Sequence, residues 1–292
     1  MNEQTNAILS TINNLFSGLI SSIDNSLYGI LDDLTFIDTD IIHNSFIENT
    51  LGNGTSFGIL LIANSIVIGF AFYYAISLAI SYFTFSEIQK PMQFILKLII
   101  FTILMNFSFN ICSVLIYFNS TITLSIQEIG ENLFGNQICF SNLIQKLNST
   151  IYIENSNFNI FSTDGIIRSF ISMGLFNLVF TYSLRYIIIK LFILISPFAI
   201  ITLIDAKFSW IFKAWAKCFF SLLISQVFIS IILLITFSID FTSTDLFSKI
   251  LLVGCIFALI KINSIVKEFI GGISTNVSAN INLLKSNFIG GD

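Results

Sequence analysis

The stretch DGIIRSFISMGLFNLVFTYSLRYIIIKLFILISPFAIITLIDAKFSWIFKAWAK, Asp164–Lys217, decides the fold. From Ile166 to Ile204 its only charges are Arg168, Arg185 and Lys190. Read as one helix, that run is roughly 58 Å long, about twice the ~30 Å hydrocarbon core of a bilayer. It forms either two spans or one span with an overhang, and the choice sets the topology. A polar, aromatic and basic patch follows (Asp205, Lys207, Trp210, Lys213, Trp215, Lys217), after which apolar sequence resumes.

Composition places this stretch in a membrane. The chain has 292 residues, 55% hydrophobic and 10% charged, with a mean hydropathy of +0.88. A soluble domain carries about a quarter charged residues, so the expected class is an all-α, polytopic membrane protein. The four cysteines, Cys112, Cys139, Cys218 and Cys255, are far apart and have a single histidine, His43, to join them. That spacing argues against a zinc or iron–sulfur site, and no metal or cofactor is expected.

Residues 1–54 hold no Lys or Arg, so the basic start of a secretory signal is missing. Apolar residues at Ile8, Ile12, Leu15, Leu19, Ile23, Leu27, Ile30 and Leu34 step by three and four. They predict an amphipathic helix that lies on a membrane surface or packs on its own bundle. Residues 55–270 read as the transmembrane bundle, with spans near Phe57–Phe83, Met92–Phe118, within Ile166–Ile204, near Phe219–Ile239 and near Leu246–Ile262. An acidic, Asn-rich outer loop at about 119–163 separates the second and third spans. Its Ile122, Ile126, Ile129 and Leu133 predict a short amphipathic helix. Gly271-Gly272 ends the last span, and 271–292 is a tail.

Lys and Arg in short flanking segments mark the cytoplasmic side. Lys90 and Lys97, Arg185 and Lys190, Lys207 to Lys217, and Lys261, Lys267 and Lys285 form the basic clusters. All of them fall on one face only if Ile166–Ile204 crosses once. The expectation is therefore five spans, N-terminus outside and C-terminus cytoplasmic, the excess length being either a helix that projects into the cytoplasm or a half-helix that turns back at Pro197, the candidate helix break.

Five spans with a long outer loop after the second resemble the TrbL family, which includes the polytopic VirB subunit of type IV secretion and conjugation machines. The local sequence is similar too: Arg185-Tyr186 and Lys190 enter an apolar run ending in Ser196-Pro197, a Trp- and Lys-rich segment follows, and the next span carries Gln226. The outer loop here is modest for that family and the tail short. The resemblance implies a non-enzymatic channel or scaffold subunit in the bacterial plasma (inner) membrane. It would form homo-oligomers, dock VirB-type and coupling ATPases, and guide single-stranded DNA or a relaxase–DNA conjugate.

No catalytic constellation is visible: there is no phosphate-binding Gly-x-x-x-x-Gly-Lys loop, and His43 lacks a nucleophile at a recognisable spacing. The chain does not read as an enzyme. Arg185, Lys190, Lys207, Trp210, Lys213, Trp215 and Lys217 are the candidates for a substrate path or partner docking, because phosphates attract Lys and Arg regardless of sequence. The plainer reading of each is headgroup anchoring. Asn106, Asn177 and Gln226 are expected to bond across helices, since an unpaired amide inside a bilayer is costly. Gly69, Gly174 and Gly254 are expected at close helix approaches. Two other functions fit the composition: a small-solute or ion transporter, and an assembly-type or immunity membrane protein without a conduit.

Overall fold

The computed structural model describes residues 29–52, 58–84, 90–151, 163–239 and 246–271, together with positions 11 and 14. Its helices are α1 (29–35), α2 (Ser45–Leu51), α3 (Ile59–Thr84), α4 (Pro91–Asn106), α5 (Ser108–Phe134), α6 (Phe140–Ile151), α7 (Thr163–Ile201), α8 (Ser209–Phe237) and α9 (Leu246–Ile270). Short 3-10 turns occupy Thr39–Ile41 and Thr202–Ile204. Among the described residues there is no strand, and five helices are long and apolar enough to cross a membrane. They are Ile59–Thr84, Ser108–Phe134, Gly165–Ile204, Ser209–Phe237 and Phe247–Ile270. The protein is an all-α, multi-pass membrane protein.

The deciding stretch is one helix of 39 residues, α7, with no reversal inside it. Pro197, the candidate helix break, does not break it; the helix continues to Ile201 and tightens into the 3-10 turn. A proline has no N–H to give the carbonyl four residues back. Here that carbonyl belongs to Ile193, and the Ser196 hydroxyl donates to it at 2.7 Å. The small residue before the proline thus closes the gap the proline opens.

Other boundaries differ from the sequence reading. The apolar run 92–118 is two helices, because α4 stops after 16 residues and the chain turns at Phe107 before α5 begins. Asn106 donates its side-chain amide to the Thr102 carbonyl at 2.9 Å, the local competition that makes Asn a poor helix interior residue. The helix expected at Ile122–Leu133 within the outer loop is present, but as the continuation of α5 through 119–134 and not as a separate short helix. It ends at Gly135, whose φ of 69° needs no Cβ. Within the basic patch, Ser209 to Lys217 forms the first turns of α8. Gly271 ends α9 as expected, at φ 79° with its N–H on the Lys267 carbonyl at 2.7 Å.

The chain divides into two compact units, and α5, α7 and α8 contribute residues to both. One unit comprises Met1–Ile37, Asn119–Tyr186 and Leu222–Asp292. Its core joins Leu31 of α1 and Phe140 of α6 to apolar side chains of α7, α8 and α9. Of the amphipathic stripe expected near the N-terminus, positions before 29 lie outside the described residues. Within α1 it is Leu31 and Thr35 that are buried, while Ile30 is exposed. The second unit comprises Asp38–Phe118 and Ile187–Ser221. Its core packs Ala63 and Val67 of α3 against Phe94 and Met105 of α4 and Ile200, Ile201 and Ile204 at the end of α7. The expected close approach holds for Gly174 alone of the three glycines: a Cβ there would lie 2.5 Å from Ile256 of α9, whereas Gly69 and Gly254 face open space.

Candidate functional site

Arg185 sits in the middle of α7 and is fully buried. Its Nε donates to the Leu222 carbonyl of α8 at 3.1 Å, one Nη to the Thr35 carbonyl at 3.3 Å, and the other to Gln226 Oε1 at 3.1 Å. The planar guanidinium reaches three separate acceptors, which a lysine ammonium on one flexible stem would not do with the same geometry. Thr35 is the last helical residue of α1, so its carbonyl lacks an intrahelical donor and lies at the negative end of the helix dipole. A buried cation there satisfies both. Among the described residues no carboxylate pairs with Arg185.

Gln226 completes the node. Its Oε1 accepts from the Ile37 amide at 3.3 Å while its Nε2 donates to the Ile37 carbonyl at 3.2 Å. One amide side chain thus pairs both backbone groups of a residue 189 positions away and also holds Arg185. One turn before Arg185, Tyr182 is buried and donates to the Leu259 carbonyl at 3.3 Å. Arg185 is therefore enclosed and holds the segment after α1 against α7 and α8. Of the residues expected along a substrate path or docking surface, Arg185 thus has its donors on carbonyls of its own unit.

A second tie between distant residues starts from the same helix, α1. Asp32 of α1 accepts from the Phe140 amide at 2.7 Å, from the Ser141 amide at 3.0 Å and from the Ser141 hydroxyl. These are the first N–H groups of α6, so a carboxylate 108 residues earlier acts as its cap. Burial raises the Asp32 pKa above its ordinary value and outweighs these donors, which act in the opposite direction.

The basic and aromatic patch divides in two. Trp215 is buried, its indole N–H donating to the Phe192 carbonyl at 3.0 Å and its ring stacked on Phe219 at 5.3 Å. It is a packing residue, not an interfacial or base-stacking one. Trp210, Lys213 and Lys217, three and four apart on α8, are exposed. Lys207 is exposed too and donates to the Tyr73 hydroxyl at 3.4 Å. Lys190 is half-buried. Of the three intramembrane amides, Gln226 bonds to distant backbone, Asn106 bonds within its own helix, and Asn177 is half-buried. His43 is exposed, with Nδ1 3.4 Å from Glu48.

The sequence offered no sign of one further feature. On α5 the buried side chains include Asn119, Ser120, Thr123 and Gln127, while Leu124, Ile129 and Leu133 are exposed. Gln127 donates to the Ile138 carbonyl at 3.2 Å. Asn119 Nδ2 and, on α7, Thr181 Oγ1 have no partner among the described residues. Exposed polar residues (Thr121, Ser125, Glu128, Glu131) share the outer side with those apolar ones, so what marks this stretch is a row of polar side chains turned inward, which inside a bilayer is where polar groups belong. Thr35, Ile37 and Leu222 were also missed as partners of the node, since they act through backbone atoms. No family model, curated protein or solved structure matches the chain.

Proposed function

We propose that the chain is a non-enzymatic channel or scaffold subunit of a type IV secretion, conjugation-type machine. It would oligomerise in the bacterial plasma membrane and help to guide single-stranded DNA or a relaxase–DNA conjugate, with energy from partner ATPases. The reading is supported by the resemblance over Arg185–Pro197 and by the exposed face of Trp210, Lys213 and Lys217 that follows a single long apolar helix. With Arg185 enclosed, contact with phosphate or with an acidic partner surface falls to Lys207, Lys213 and Lys217. The test is a mating assay in donor cells whose own copy is deleted and replaced. Lys213→Glu/Lys217→Glu is expected to lower DNA transfer at least about tenfold at equal protein level, and the Lys→Arg pair to keep it. Full transfer by the Glu pair, or by the deletion itself, refutes the proposal.

One observation favours a second reading, a small-solute or ion transporter. Such proteins use interrupted helices and buried polar groups at membrane depth, and here the run 92–118 is interrupted at Phe107 while α5 buries Asn119, Thr123 and Gln127. Solute uptake by purified protein in vesicles, abolished by Thr123→Val/Gln127→Leu, would favour it over the first.

A further inference from the structure

We propose that the second unit holds one acyl chain of an anionic phospholipid in a cavity between α3, the end of α7 and the start of α8, with the lipid phosphate on Lys207. The cavity measures about 360 Å³ and is lined by Ile66 and Phe70 of α3, Phe198 and Thr202, and Phe208 and Trp215. Two of these side chains have polar atoms, and both are already satisfied. The Thr202 hydroxyl donates to the Ala199 carbonyl at 2.7 Å, and the Trp215 indole donates to the Phe192 carbonyl. The walls therefore have no free donor for a ligand and suit hydrocarbon. That volume lies at the small end of ligand sites, the scale of a single chain and not of a whole lipid.

One end of the cavity carries charge. Phe208 meets Phe70 edge-on at 5.8 Å. The next residue back, Lys207, is exposed and donates to the hydroxyl of Tyr73, one turn beyond Phe70. An ammonium has three N–H donors, so two remain for a phosphate. The nearby Asp205 carboxylate accepts the Lys207 backbone amide through Oδ1 at 3.0 Å. An apolar slot with a lysine and a phenol at its end fits an amphiphile whose head is anionic, and basic sites beside membrane helices select such headgroups. The source is the bilayer that the five apolar helices imply.

Trp215 reports on the cavity directly. The chain has two tryptophans, so Trp210→Phe leaves Trp215 as the only indole. That variant is reconstituted into phosphatidylcholine vesicles containing increasing fractions of brominated-chain phosphatidylglycerol or brominated-chain phosphatidylcholine. Half-quenching of Trp215 is expected at an about fivefold lower fraction of the anionic lipid, and adding Lys207→Gln should merge the two curves. Raising the salt should narrow the difference. Equal curves for the two lipids in the Trp210→Phe protein mean ordinary boundary lipid and overturn the proposal. No quenching by either lipid means protein fills the slot, from this chain or a second copy, and overturns it as well. The comparison between lipids stands without the lysine variant, so a folding defect in that variant leaves the test intact.

Discussion

Arg185 shows what a single charge does in an apolar setting. A lone cation inside a membrane helix costs a few kcal/mol or more unless polar groups surround it, and this one has three carbonyl oxygens. Gln226 is the more vulnerable partner, because its removal strands Arg185 Nη together with the amide and carbonyl of Ile37. Gln226→Leu should therefore destabilise the protein by about 2–4 kcal/mol. Replacing both members, Arg185→Met with Gln226→Leu, should recover part of that loss, because no charge is then left unpaired. Thermal unfolding in detergent, with limited proteolysis of residues 29–44 as the local readout, checks both. A double variant as unstable as the sum of the singles would show that the node is not a unit.

At the scale of elements, helix ends and helix contacts follow from small residues in particular places. Ser196 lets α7 pass through Pro197, and Gly271 stops α9. Gly174 is where α7 and α9 come close enough that a methyl group would reach the Ile256 side chain at 2.5 Å. Gly174→Ala should therefore cost about 1–3 kcal/mol by overpacking. Gly254→Ala, on α9 with open space around it, should be neutral or mildly stabilising because a helix prefers alanine to glycine. Melting curves of the two variants decide it, and equal effects would mean that the α7–α9 contact is looser than drawn. Period alone did not separate these glycines, since all three lie in apolar runs and only the neighbour's side chain distinguishes them. The same limit applies to α5, whose three- and four-residue apolar steps correctly indicated a helix but not which face is buried. In water the apolar face turns inward. Here Ile129 and Leu133 of that stripe are exposed, Ile122 and Ile126 are half-buried, and Asn119, Thr123 and Gln127 take the interior.

For the whole molecule, the number of crossings governs every functional reading. Five apolar helices are an odd number, so if each crosses once the segment before α3 and the end of α9 are expected on opposite sides of the membrane. In a variant whose four native cysteines are replaced, Ser45→Cys should react with an impermeant maleimide on intact cells. Lys267→Cys should react only after the membrane is opened. Labelling of both from one side would remove the five-pass arrangement and, with it, the support for a secretion subunit.

By itself the amino-acid sequence determined the class of the protein, most of its long apolar helices, and the stop at Gly271. These follow from composition, charge bias and local backbone preference, which act on residues near one another in the chain. Only the tertiary structure decided that Arg185 is enclosed, that Trp215 is core while Trp210 is surface, and that Asp32 caps α6. The reason is physical: Arg185 binds carbonyls 150 and 37 residues away, and a backbone carbonyl is present at every position, so no residue type marks the one that a folded chain will bring within reach.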